Sequence, residues 1–424
     1  MSSNADPALL SVVDARDAIR AGTLSPVALV DACLARIEAL EPRVAAWVHV
    51  DAAGARTQAA QREEEAKSGK IRGVLHGIPV GIKDIFDVEG MPTTCGARSW
   101  AHTRPLRDAT AVHWLREAGA IILGKTHTTE FAYRDPAPTR NPWNVEHTPG
   151  GSSSGSAAAV AARMVPLALG TQTVGSVLRP AAYCGVVGYK GTHGAIPTDG
   201  VAALAWSLDH VGVFARSVAD VGVALSRMGG ASDVDVRRSA RATSSGDTAR
   251  RAEPEVAAQV QAAARAFAAA GAGVEEVKLP ASFAEIHEAG QLILEAEAAA
   301  YHEASFRAHG ADYGPGLKKL VEEGLTRPAT PYVRALRTRQ RFRDEASQLL
   351  AGYDALVCPT APAPAPAGLA WTGDASHCAP WSTAGFPAIS LPSGVAASGL
   401  PLAIQLVASP ERHGILLYLS LIHI

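Results

Sequence analysis

The chain has 424 residues, 47% of them hydrophobic and 19% charged, which is enough to bury a large core and excludes a disordered or collagen-like polymer. With 39 basic against 41 acidic residues the formal charge is −2, so no nucleic-acid or anionic-membrane surface is advertised and a small molecule is the default partner. The start, "MSSNADPALL", lacks a basic-then-apolar leader, no apolar run reaches the ~20 residues of a membrane span, and five scattered cysteines form no C-x-x-C pair, which predicts a cytoplasmic protein with reduced thiols and neither metal nor cofactor.

In chain order, "LSPVALVDACLARIEAL" is an amphipathic helix: Ser25 is its N-cap, Pro26 its first helical residue, and Leu29, Val30, Cys33, Leu34, Ile37 and Leu40 share one face. "AAWVHV" and "IPVGIKDIFDV" read as strands, "DATAVHWLREAGA" as a helix capped by Asp108, and "AIILGKT" as a short buried strand. A Gly/Ser block, "PGGSSSGSAAAVAARM", opens another helix. The apolar "VPLALGTQT" and a second glycine turn, "VGSVLRPAAYCGVVGYK", follow it. From about 229 to 254 the chain is polar, arginine-rich and aperiodic, which reads as an exposed loop. Alanine-rich and longer helices then run to about Tyr353, ahead of a strand "DALVCPT", a proline-rich loop, and a final strand pair, "FPAISLPSGV" and "GLPLAIQLVA". Strands alternating with helices in this way predict an α/β fold with helices on the faces of its sheet. The last six residues, "LSLIHI", read as translated adapter sequence and carry no functional weight.

Two short patterns suggest functions that their contexts do not support. "GAIILGKT" (119–126) matches the phosphate-cradling loop G-x-x-x-x-G-K-T, but Ile121, Ile122 and Leu123 are themselves the strand, so Lys125 reads as a strand-end lysine. "GSSSG" (151–155) matches the nucleophile elbow of a Ser-His-Asp hydrolase, with Ser153 as nucleophile and Asp354 and His377 as partners in the right chain order. That elbow needs a strand immediately upstream, where this chain has the turn-rich "TRNPWNVEHTPG". The histidines form no i, i+4 pair beside a carboxylate of the metalloprotease kind.

Three other residues converge better. Lys83 stands alone in an apolar, β-branched run, Ser152 lies at a helix start, and Ser176 lies in the second glycine turn, 24 positions later. A helix and a strand occupy that interval, so the chain can return both serines to one sheet edge. Glycine beside serine leaves backbone N–H groups unobstructed, which is the material of an oxyanion hole. Burial disfavours an ammonium, so Lys83 is able to be neutral near pH 7 and accept a proton; the blander alternative is an ammonium that snorkels to solvent or pairs with Asp84 or Asp87. Arg179, three residues past Ser176, requires an anionic partner, either a structural acid or a substrate carboxylate.

Four separated blocks, "GIPVGIKDIFDVEGMPTTCGA", "PGGSSSGSAAAVAA", "PLALGTQTVGSVLRPAAYCGVVGYKGT" and "PAISLPSGVAASGLPLAIQLV", resemble the amidase signature family, serine hydrolases with a Ser-cisSer-Lys triad. The arginine three residues past the nucleophile is most similar to malonamidase-type members. The resemblance implies one large domain over residues 1–424, with a central mixed β-sheet covered by helices on both faces and a catalytic core at about 60–215. Position by position it implies Ser176 as nucleophile, Ser152 as cis-serine, Lys83 as base, and the N–H groups of Thr173, Val174, Gly175 and Ser176 as the oxyanion hole. The implied activity is hydrolysis of a small linear amide, one bearing a carboxylate if Arg179 binds substrate, through an acyl-enzyme and with release of ammonia. The implied partners are that amide and a second copy in a homodimer, with no nucleic acid and no membrane. Two other readings share the scaffold: the glutaminase subunit of a tRNA-dependent amidotransferase, and a non-catalytic binding protein. The chain departs from many members at Val174, where glycine is usual, and at Leu178 and Arg179, where arginine comes one place earlier. It also departs at the polar 229–254 segment, where members carry an apolar strand that this sequence predicts to be absent.

Overall fold

The computed structural model describes residues 6–228, 241–244, 248 and 251–423. Eleven strands among them form one mixed sheet: β1 (Trp47–Val50), β2 (Pro79–Lys83), β3 (Ile121–Thr126), β4 (Leu167–Gln172), β5 (Val187–Lys190), β6 (His210–Ala215), β7 (Arg241–Ser244), β8 (Gly273–Glu276), β9 (Ala355–Pro359), β10 (Ala388–Val395) and β11 (Pro401–Val407). Their order across the sheet is β1-β3-β2-β4-β6-β5-β10-β11-β9-β7-β8. β2 runs parallel to both β3 and β4, while β4 to β6, β5, β10, β11 and β9 pair antiparallel. Every residue of β2, β3, β4, β5, β6, β9 and β11 is buried, as a sheet covered on both faces requires. This is the single α/β domain, with a mixed sheet flanked by helices, that the sequence predicts.

Local chemistry explains where the elements begin and end. The helix Pro26–Val44 starts as expected, because the Ser25 hydroxyl accepts the otherwise unpaired N–H groups of Val27 and Ala28. Asp108 does not cap the next predicted helix. Its carboxylate is taken by the Glu89 N–H at 2.8 Å and the Arg116 guanidinium at 2.8 Å, and Thr110–Glu117 begins after Ala109 without a side-chain cap. β2 is shorter than its apolar run: the N–H groups of Ile85 and Phe86 both turn back onto the Lys83 carbonyl, at 2.8 and 3.1 Å, and end the strand there.

The expected absence of a strand in the polar segment is corrected. β7, "RATS", lies parallel between β8 and β9, with Ala242 and Thr243 buried. Four residues held by backbone pairing on both sides do not need an apolar run, which is why hydrophobicity gave no signal. The rest of the expected 229–254 loop up to residue 250 lies outside the described residues, apart from Thr248. The helix Ile415–His423 contains most of the segment read as adapter sequence, and its Leu419 and Ser420 are buried.

Candidate active site

β2 delivers Lys83 at its last residue, fully buried. The Lys83 Nζ donates to the Ser152 hydroxyl at 2.7 Å and to the Thr171 hydroxyl at 2.8 Å, so both contacts are to neutral oxygens. Among the described residues no carboxylate forms an ion pair with it. The pairing with Asp84 that was the bland alternative is pre-empted, because Asp84 makes a 2.9 Å ion pair with Lys125 and both side chains are inaccessible to solvent. Desolvation therefore dominates and holds Lys83 well below the ordinary lysine range, with Asp209 and the Cys95 thiol opposing it.

Ser152 lies two residues before the helix Ser154–Ala161, and the Gly151–Ser152 peptide is cis, as the resemblance implied for this serine. The helix start is pressed against the end of β3. A Cβ at Gly155 would lie 2.2 Å from the Ala46 carbonyl and 2.4 Å from the His127 nitrogen, so only glycine lets the backbones approach this closely. Ser156 then ties the helix to its strands, through the Leu169 carbonyl at 2.8 Å and the Thr126 hydroxyl at 2.7 Å.

Ser153 is not placed as an elbow nucleophile. Its hydroxyl donates to the Thr171 carbonyl at 3.1 Å and accepts the Thr171 N–H at 3.2 Å, fully buried, so it is a tie between helix and sheet. Its supposed partners are occupied elsewhere: Asp354 pairs with Arg412 at 2.6 Å, and the His377 ring meets the Thr248 carbonyl at 3.1 Å. "GKT" is likewise no phosphate loop, since Ile121–Thr126 is strand throughout.

The turn after β4 is built by Gln172. Its side-chain carbonyl accepts the N–H groups of Val177 and Leu178, at 2.8 and 2.9 Å, and its amide donates to Ser382 at 2.8 Å. Ser382 in turn donates to the Val174 carbonyl at 2.7 Å, and the Thr173 hydroxyl donates to Asp209 at 2.5 Å. The loop is thus held from its outer side by carbonyl and side-chain contacts. Val174 is not among the residues in the left-handed region, so valine stands there without that cost. The Ser153 N–H reaches the Ser176 carbonyl at 3.4 Å, which brings the two serine blocks together.

Ser176, Thr173, Val174 and Arg179 line one cavity of about 330 Å³, closed by Ala132, Tyr133 and Arg134, by Gln291 and Leu294 of the helix Ile286–His309, and by the loop 371–375. Arg179 is buried, and its guanidinium donates to the carbonyls of Gly151, at 2.6 Å, and Gly373. Among the described residues its Nε has no hydrogen-bond partner and no acid forms an ion pair with it, though Asp374, which lines the same cavity, acts on it electrostatically. Burial pushes this guanidinium below its ordinary value. Sequence reasoning missed Thr171, Gln172 and Asp209. The first two sit inside the quoted "GTQT", while Asp209 carries no local signal. Among the described residues no cluster of His, Cys, Asp and Glu is arranged to hold a metal, and no helix is long and apolar enough to cross a membrane.

Comparison with known proteins agrees with this geometry. The family described as Amidase matches residues 28–417. The A-type subunit of glutamyl-tRNA(Gln) amidotransferase from Roseiflexus castenholzii is 36% identical, over 94% of this chain and 92% of that protein. A solved structure described as an amidase superposes with a TM-score of 0.90 at 31% identity, covering 97% of this chain and 98% of that one. The peptide amidase of Stenotrophomonas maltophilia does so with a TM-score of 0.84 at 30% identity, over 98% and 96%. The relatives overturn the expected partners, a small amide and a second copy with no nucleic acid. A relative this similar over nearly its whole length is one subunit of an enzyme named for glutamyl-tRNA(Gln). Near-neutral net charge does not decide the matter, because it averages over a surface that an assembly can partition among its chains. The chain belongs to the amidase family and is an enzyme acting on the C–N bond of amides.

Proposed function

We propose that this chain is the ammonia-releasing A-type subunit of a tRNA-dependent amidotransferase, cleaving the carboxamide of a small donor that bears a carboxylate, such as glutamine. The observation that carries the chemistry is the 2.7 Å contact to Ser152 from a fully buried Lys83 that forms no direct ion pair among the described residues; the Gly151 carbonyl next to Ser152 is bonded by Arg179, which lines the same cavity as Ser176. Similarity to the A-type chain of the amidotransferase supports the assembly, and the unpartnered Arg179 Nε, with the malonamidase-like spacing of that arginine, supports a carboxylate-bearing donor. The reading places the protein in the cytoplasm.

In this mechanism neutral Lys83 draws a proton from Ser152 as Ser152 draws one from Ser176, a hydroxyl being donor and acceptor at once. The Ser176 oxygen forms a bond to the carboxamide carbon, and the carbonyl electron pair moves to oxygen. The N–H groups of residues 173–176 receive that negative charge, each worth about 100 to 1,000-fold in rate. The C–N bond then breaks, the proton returns through Ser152 to the leaving nitrogen, and ammonia departs. Water, deprotonated along the same path, cleaves the ester. The test is ammonia release from glutamine and from uncharged amides, by the chain alone and with whatever subunits copurify. Glutamine turnover that rises with copurified subunits supports the proposal; efficient turnover of uncharged amides by the chain alone, with nothing copurifying, contradicts it.

A further inference from the structure

Two buried carboxylates lie near Lys83, and the fold treats them differently. Asp84, the next residue, is neutralised by Lys125 and also accepts the Thr94 N–H at 3.1 Å. Asp209, just ahead of β6, has no cation paired to it among the described residues. Its oxygens accept only neutral donors: the Thr173 hydroxyl at 2.5 Å and the N–H groups of Leu204 and Ala205, at 2.9 and 3.0 Å. A small cavity of about 30 Å³ is lined by Asp209, Thr173 and Thr171, and Thr171 is the residue whose hydroxyl accepts from Lys83. One carboxylate is therefore tied to the proposed oxyanion loop through Thr173, and it shares a small space with Thr171, the residue bonded to the lysine, on which it also acts electrostatically.

We propose that Asp209 is a positioning residue for the reaction: its carboxylate is the counter-charge of the lysinium that forms on Lys83 as Ser176 attacks. This rests on the base role given to Lys83 above. When the proton reaches Lys83 Nζ, a positive charge appears on a side chain inaccessible to bulk solvent, and a negative one appears on the substrate oxygen at the loop 173–176. An ionised carboxylate fixed beside the lysine lowers the energy of that charge separation without any reorganisation. Three of the other groups around this pair carry no charge near neutral pH, and the fourth, Asp87, interacts with Lys125 and Arg107. Cys95 is held as a neutral thiol by burial, the His210 imidazole is held neutral by burial, the Tyr301 phenol on the helix Ile286–His309 is pushed up to about 12, and Asp87 is half-buried and drawn upward. Burial raises Asp209 itself to about 6, against the pull of Thr173, Leu204, Ala205 and Lys83, so it is ionised above that pH.

The test reads the Ser176 nucleophile directly, as the second-order rate of labelling by a fluorophosphonate probe against pH, with the modified peptide identified by mass. Wild type shows a rate that rises with pH as Lys83 deprotonates. Removing the negative charge makes Lys83 easier to deprotonate, so Asp209→Asn shifts that rise to lower pH by about 1 unit or more and lowers the plateau. Asp209→Ser is the second neutral variant, and circular dichroism identifies which of the two is folded. Thr173→Val keeps the charge and removes only the tie, so it lowers the plateau and leaves the pH of the rise in place. A folded neutral variant whose rise coincides with wild type overturns the inference, whatever its plateau. Undiminished labelling of Lys83→Ala, or no labelling of Ser176 in wild type, overturns instead the mechanism on which it rests.

Discussion

Gly175→Ala is the perturbation whose size follows most directly from the structure. A Cβ at this position would lie 2.7 Å from the Ala375 Cβ and 3.3 Å from the Cys378 Cβ. The first contact is almost 1 Å inside the ordinary carbon–carbon separation of ~3.5 Å, and a methyl on a backbone has no rotamer by which to escape. Neither neighbour yields easily. Ala375 ends the loop over the cavity, and Cys378 leads into the helix Ala379–Thr383, whose Ser382 is already bonded to Gln172 and Val174. The loop 173–176 must therefore move, and N–H groups aimed at one oxygen tolerate little movement. Loss of one such donor costs about 100 to 1,000-fold in kcat, with KM little changed, while the overpacking itself costs about 1–3 kcal/mol of stability. Steady-state ammonia release and a thermal melt measure the two effects separately. A folded Gly175→Ala protein with kcat within about threefold of wild type would refute the assignment of this loop as the oxyanion hole.

Three further outcomes are expected. Lys83→Met abolishes turnover but melts above wild type at pH 7. A lysine depressed in the folded state withholds stability until the pH exceeds its unfolded value, so the gain is largest at low pH and shrinks toward pH ~10, as melts across that range will show. Ser153→Ala keeps turnover within a few-fold, because the hydroxyl is structural, yet loses about 1–3 kcal/mol in denaturant titration as the buried Thr171 N–H loses its acceptor. Arg179→Met raises KM at least about tenfold for a carboxylate-bearing amide and leaves kcat/KM for an uncharged amide within a few-fold; equal losses on both would remove carboxylate recognition.

What the sequence displayed was whatever is encoded locally. Ser25 caps its helix because the contact spans only a few residues, and the apolar runs of β2, β3 and β4 announce buried strands. Lys83 stood out as the lone charge in such a run, and its chemistry follows from burial. Contacts across the chain were not displayed. Thr171 lies 88 positions from Lys83 and Asp209 lies 36 from Thr173, and no local pattern links either pair. Asp108 shows the converse error, since its position suited a cap while Glu89, at a distance of 19 positions, and Arg116 held its carboxylate. β7 was missed because its four residues make no apolar run, and pairing with a strand on each side helps to hold them in the sheet.

The central claim is that Lys83, its basicity lowered by burial, activates Ser176 through Ser152. Rapid acid quench of the protein turning over a carboxamide substrate, followed by peptide mass spectrometry, tests it most directly. The account predicts an acyl group on the peptide position of Ser176 in wild type, and none accumulating in Lys83→Ala or Ser152→Ala. An acyl group on Ser152 or Ser153, or one formed at the wild-type rate without Lys83, would contradict it.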